Sequence, residues 1–146
     1  MLIQTIKDHL IPALVAGLIF LFSGCEKIPP GDRIPDVFVE ETINLNNFEY
    51  NALNNIGGYV YLQEGVRGII LYRQSPDVYR AFERNCPYQP MDECALVSVD
   101  ESTFFMIDTC CSSTFDFDGN PTGGPARYPL LEYSVVVNNN LLTITN

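Results

Sequence analysis

Tyr133-Ser134-Val135-Val136-Val137-Asn138-Asn139-Asn140-Leu141-Leu142-Thr143-Ile144-Thr145 decides the fold class. Two short runs of Val, Leu, Ile and Thr flank a trio of asparagines. β-Branched side chains suit a pleated sheet, and Asn tolerates the positive φ of a tight turn. The segment therefore predicts a closing β-hairpin.

Runs of the same kind recur at Val37–Glu41, Thr42–Leu45, Gly58–Leu62, Gly68–Gln74, Val78–Glu83, Ala95–Val99 and Thr103–Ile107. They are short and separated by Asn, Gly, Pro and Asp, as strands are. Asp100-Glu101-Ser102 is the predicted turn between the last two. No stretch after Val37 keeps a helical period over three turns, and Phe48–Asn55 has room for one turn at most. The expectation is one all-β domain over residues 37–146, an antiparallel sandwich or partly open barrel.

The beginning of the chain points to a compartment. Ile11 to Phe22 is an apolar run too short to span a bilayer comfortably but of signal-peptide size. Lys7 precedes it, with Asp8 beside it. The run ends Leu21-Phe22-Ser23-Gly24-Cys25, which resembles a bacterial lipobox: small residues fit a peptidase cleft, and Cys25 supplies a thiol for lipid. Residues 1–24 are read as a lipoprotein signal peptide. The lipid bilayer is then a partner through acylated Cys25, and the cell envelope is the location. Each buried methylene adds about 0.8 kcal/mol, so several acyl chains make the anchor permanent. Residues 25–36 hold three prolines and a glycine, which favour an extended spacer.

The 146 residues carry a net charge of −10 with hydrophobic content of 47%. That is globular rather than disordered. No cluster of Lys and Arg is present, which argues against nucleic acid. Cleavage before Cys25 would also remove His9, the one histidine of the sequence. Imidazole-activated nucleophiles and imidazole metal sites are then excluded, and no enzyme activity is expected.

Cys86, Cys94, Cys110 and Cys111 remain. In an oxidising compartment such cysteines pair, and three connectivities exist for four of them. Joining neighbours Cys110 and Cys111 makes a strained ring and is the least favourable. The other two both tie the Cys86–Cys94 loop to the Cys110-Cys111 loop.

Cys86-Pro87-Tyr88 closes a strand and opens a loop. Asp108-Thr109-Cys110-Cys111-Ser112-Ser113-Thr114-Phe115-Asp116 follows, then Gly119, Gly124-Pro125-Ala126, Pro129-Leu130 and Tyr133. Over roughly Val66 to Asn146 this pattern resembles the Rieske family. In that family a Cys-x-His box and a Cys-Pro-x-His-Gly-Ser-x-Phe-Asp box hold a [2Fe-2S] cluster beneath a Gly-Pro-Ala loop. The resemblance implies a Rieske-like fold with ligand positions at Cys86, Tyr88, Asp108 and Cys111, and a cluster-covering loop at Gly124, Pro125 and Ala126. Tyr88 replaces the first histidine, Asp108 the second cysteine and Cys111 the second histidine. Ser112 stands where the family has Gly. A Rieske iron needs two imidazoles, so no cofactor and no metal are expected. Some Rieske proteins join their two loops by a disulfide. The resemblance thus implies a Cys94–Cys110 bridge and leaves Cys86 to pair with Cys111.

The expected function is that of a non-enzymatic binding or structural module. A redox alternative places iron or an unusual [2Fe-2S] cluster on Cys86, Asp108, Cys111 and Tyr88, or uses Cys110-Cys111 as a thiol switch. Paired carboxylates at Asp108 and Asp116 or Asp118 would suit a hydrolase, but Asp in such turns usually caps them. A calcium loop at Phe115–Asn120 lacks the regular spacing and the terminal Glu.

Overall fold

The computed structural model describes residues 33–146. The predicted leader, Cys25, His9 and the first part of the linker lie outside the described residues.

Among the described residues ten strands follow in order: β1 (Glu40–Asn44), β2 (Tyr59–Leu62), β3 (Ile69–Ser75), β4 (Val78–Glu83), β5 (Val97–Val99), β6 (Met106–Asp108), β7 (Ser113–Phe115), β8 (Pro121–Gly123), β9 (Glu132–Asn138) and β10 (Leu141–Thr145). Two sheets result. One runs β1-β10-β9-β4-β3-β2 and curls into a half-barrel; the other runs β5-β6-β7-β8. Every strand pairing is antiparallel. The all-β expectation holds.

The curled sheet is buried on both faces at β3 and β4, which is why Ile69-Ile70-Leu71 is a continuous apolar run. Ile69, Leu71 and Ala81 join Val39, Ile43, Leu53, Leu142 and Ile144 in a core inside the curl. Ile70 and Phe82, on the other face, pack with Val97, Met106, Phe115 and Leu130 in a second core shared with the smaller sheet. Each such side chain, fully buried, contributes about 1.5–3 kcal/mol through burial. The second core is the platform on which the cysteine loops stand, because Cys86, Ala95 and Ala126 belong to it.

The closing hairpin forms as predicted. Leu141 pairs with Asn138, so Asn139 and Asn140 make the turn, with Asn139 at φ 56°. Elsewhere the structure corrects the sequence reading. Val37–Glu41 and Thr42–Leu45 are not two strands: β1 pairs with β10 in unbroken register from Glu40↔Thr145 to Asn44↔Leu141. Thr103–Ile107 shifts to Met106–Asp108, because Thr103 takes φ 62° and donates to the Asp100 carbonyl, extending the turn to Phe105. Phe48–Asn54 makes a 3-10 helix of seven residues, longer than the single turn foreseen. Its Leu53 side chain fills the curl and holds it in place.

Candidate functional site

Three loops meet at the end of the smaller sheet. The first begins where β4 gives way to an isolated bridge, Asn85↔Leu96, and Cys86 donates its N–H to the Ala95 carbonyl at 3.2 Å. The second joins β6 to β7, whose pairing sets Asp108 opposite Ser113. The third is Gly124-Pro125-Ala126, just past β8.

The first loop is fastened from below. Glu83 is wholly buried, and its carboxylate accepts N–H bonds from Val66 at 2.7 Å and Arg67 at 2.9 Å. That fixes Arg67, whose guanidinium donates to the carbonyls of Asp92 and Glu93. A carboxylate in the curl thus holds an arginine that holds the cysteine loop. Sequence reasoning missed both residues. The one signal was a charged residue continuing the apolar run Ala81-Phe82-Glu83.

In the second loop Asp108 is 0% exposed. Its Oδ1 accepts from the Cys110 N–H at 2.8 Å, and its Oδ2 lies 3.2 Å from the Cys111 Sγ. Ser112 turns the chain at φ 61°, a left-handed conformation that favours glycine. Ser113 Oγ lies 3.1 Å from the Cys111 Sγ and accepts from the Ala126 N–H at 3.0 Å, so the third loop is tied to the second. Gly124 has φ 80°, and a Cβ there would stand 2.5 Å from the Ser113 Cα. Only glycine lets the two loops approach this closely.

The vicinal cysteines divide their roles. Cys110 faces outward and is bonded to Cys94 in a disulfide that joins the first two loops. Cys111 faces inward toward the buried Cys86, with their sulfurs 3.9 Å apart. The second expected bridge, Cys86–Cys111, is not formed: both are free thiols, since a disulfide needs about 2.05 Å between sulfurs. Cys111 sits instead against Asp108 and Ser113. Burial, reinforced by the Asp108 carboxylate, holds the Cys86 thiol well above the usual range, with the Tyr88 backbone amide opposing.

Cys86, Asp108 and Cys111 therefore converge, with one donor atom from each lying within 4.8 Å of the others. Among the described residues this is the one group of three or more such side chains placed to hold a metal ion. A cavity of about 320 Å³ opens beside it, lined by Tyr88, Gln89, Asp92, Asp108, Cys111 and Pro125 among others. Tyr88 thus reaches the same cavity, though it is not among the three clustered donors.

Asp116 and Asp118 serve structure. Asp116 Oδ1 accepts from the N–H groups of Asp118 and Asn120, closing the β7–β8 turn, and Asp118 pairs with Arg80. Neither joins Asp108, so the carboxylate pair of the hydrolase reading is absent among the described residues. On β2, Tyr59 and Tyr61 share a face, with ring centroids 5.5 Å apart. Tyr61 is capped by Arg84 and accepts from the Val99 N–H at 3.0 Å, joining the two sheets.

No family model matches the chain, and no curated protein matches it.

Proposed function

We propose that this protein is a cell-envelope lipoprotein, tethered through acylated Cys25, whose Rieske-like domain has given up its [2Fe-2S] cluster and serves as a binding module. The observation that carries the reading is the donor set at the converging loops. Two thiols and one carboxylate stand there, and the sequence has no histidine after His9. The cluster needs two thiolates on one iron and two imidazoles on the other. The residues present do not fit it.

The likeness to the family rests on loop architecture rather than ligands. A disulfide ties the two cysteine loops, Ser112 takes a glycine-like φ where the family has Gly, and Gly124-Pro125-Ala126 packs against the second loop. None of the three uses a side chain at the ligand positions Cys86, Tyr88, Asp108 or Cys111, so all three are compatible with a domain that holds no cluster.

Two measurements on the full chain test the reading. Metabolic labelling with a fatty acid is expected to mark the wild type and not Cys25→Ser. Purified protein is expected to be colourless and free of the paired-iron electron-spin signal. A red-brown protein with two irons per chain refutes the cluster-free module, and an unlabelled wild type refutes the tether.

A further inference from the structure

We propose that Cys86, Asp108 and Cys111 form a mononuclear site for a borderline-soft divalent cation of the zinc class, with its fourth coordination position open to the adjoining cavity. The proposal names a ligand for the domain but does not depend on the lipid tether.

Geometry is the first support. A tetrahedral ion with metal–sulfur bonds of about 2.3 Å holds its two sulfurs about 3.8 Å apart. The Cys86 and Cys111 sulfurs are 3.9 Å apart. With a metal–oxygen bond of about 2.1 Å, the same ion sets sulfur and oxygen about 3.6 Å apart. The Cys111 Sγ lies 3.2 Å from Asp108 Oδ2, and all three donors fall within 4.8 Å of one another. The two distances from the Cys111 sulfur are thus within a few tenths of an ångström of ligation, and the third donor pair closes by at most about 1.2 Å.

Charge is the second and independent support. Asp108 is fully buried, yet among the described residues the ion pairs involve only Arg80, with Asp118 and Glu132. The Asp108 carboxylate has one backbone N–H and the two thiols of Cys111 and Cys86 for company, and no cationic side chain pairs with it among the described residues. A buried carboxylate without a cation is costly. A divalent ion supplies the missing charge, and each thiol releases its proton to solvent as it becomes a thiolate ligand.

Donor chemistry then selects the ion. Two thiolates with one carboxylate suit zinc-like ions and not magnesium or calcium, which take all-oxygen shells. The loops are also fixed beforehand. The Cys94–Cys110 bridge and the Arg67 clamp hold both sides of the site, so binding need not order them. Three protein ligands beside a cavity of about 320 Å³ leave room for water or a small ligand on the ion.

Cobalt(II) is the probe, added to chelator-treated full chain purified in detergent without strong reductant. One cobalt per chain is expected, with sulfur-to-cobalt charge-transfer absorption and the strong visible bands of tetrahedral cobalt, all displaced by zinc. Cys111→Ser should lose about half the charge-transfer intensity, and Asp108→Asn should weaken binding at least about tenfold. Unchanged circular dichroism and an intact Cys94–Cys110 linkage verify the fold of each variant. Bound zinc should also shield Cys86 and Cys111 from alkylation. No charge-transfer band in the wild type, an equal band in Cys111→Ser, or a native Cys86–Cys111 disulfide each overturns the site. None of these results touches the label on Cys25 or the colour of the protein, so the two proposals fail separately.

Discussion

The Tyr133 hydroxyl donates to the Glu83 carboxylate at 2.8 Å, with both residues buried in the curl of the larger sheet. The same carboxylate accepts from the N–H groups of Val66, Arg67 and Asn85. One side chain therefore satisfies four donors and connects the curl to the base of the cysteine loop. A hydrogen bond to a charged group contributes about 1.5–3 kcal/mol, so Tyr133→Phe should cost that much in chemical denaturation. Glu83→Ala strands all four donors at once and should cost more than twice as much. Equal losses for the two variants would refute the shared anchor.

The same contact predicts an alkaline weakness. Burial, and then the Glu83 carboxylate, push the Tyr133 phenol above its usual range. The unfolded phenol ionises at about pH 10, while the folded one keeps its proton. Its stabilisation is therefore complete below that pH and is lost as pH rises toward the folded value. Tyr50 and Tyr59 are shifted the same way by burial. Urea midpoints of the wild type should fall above about pH 10, and those of Tyr133→Phe should fall less. Parallel slopes would exclude Tyr133 as a source.

Arg67 offers a test that stability alone does not give. Its guanidinium reaches the Asp92 and Glu93 carbonyls, whereas its aliphatic stem leaves the cores to other residues. Arg67→Ala should cost about 1–3 kcal/mol of local stability. Hydrogen exchange should quicken across residues 88–94 and remain unchanged in β9 and β10. Lysine should restore little, since a single ammonium cannot span two carbonyls in a fixed fork. Uniform acceleration over the whole domain would contradict a local clamp.

How much of this was legible in the sequence depended on strand length and surroundings. β3, β4, β9 and β10 were plain because five to seven residues rich in β-branched and aromatic side chains run together between turn residues. β7 and β8 were not foreseen. Ser113-Thr114-Phe115 and Pro121-Thr122-Gly123 have three residues each, and their composition is that of turns. Only pairing with β6 and with each other makes them strands. The convergence of Cys86, Asp108 and Cys111 was anticipated through the family resemblance. Whether the two sulfurs bond was not legible, because a difference of about 2 Å between contact and bond lies in loop packing rather than residue type. Arg67 was invisible and Glu83 showed only as a charge ending the apolar run Ala81-Phe82, since most of their partners are backbone groups that no sequence pattern marks.

Two glycines at similar φ separate backbone strain from steric contact. Gly57 has φ 85° with open space where a β-carbon would stand, while at Gly124, with φ 80°, a β-carbon would be driven against Ser113. Gly57→Ala should therefore cost about 1–2 kcal/mol, the left-handed penalty alone. Gly124→Ala should cost that and more, with the excess showing as loosened contact between the second and third loops. Ala126 N–H exchange reads this directly, because that amide donates to Ser113 Oγ. Equal costs at the two sites would mean the loops yield freely.

The four cysteines of the described domain divide into one bonded pair and one free pair. Peptide mapping without reduction should yield one linkage, Cys94 to Cys110, with Cys86 and Cys111 recovered as thiols. After denaturation in chelator both should alkylate. In the folded protein Cys111 should react well before Cys86, because Cys111 is half-buried at the cavity and Cys86 is 0% exposed. Replacing Cys94 and Cys110 together by alanine removes a bridge with sequence separation 16. For a loop of that size the chain-entropy cost is about 3 kcal/mol. The replaced pair lies outside the inner thiols, so the Cys86–Cys111 approach should survive through Asp108 and Ser113 while the first loop loosens. Faster alkylation of Cys86 in that variant, matched by faster exchange in residues 88–94, would show that bridge and clamp act on one loop. Unchanged Cys86 reactivity would show that the second core alone keeps the thiol covered.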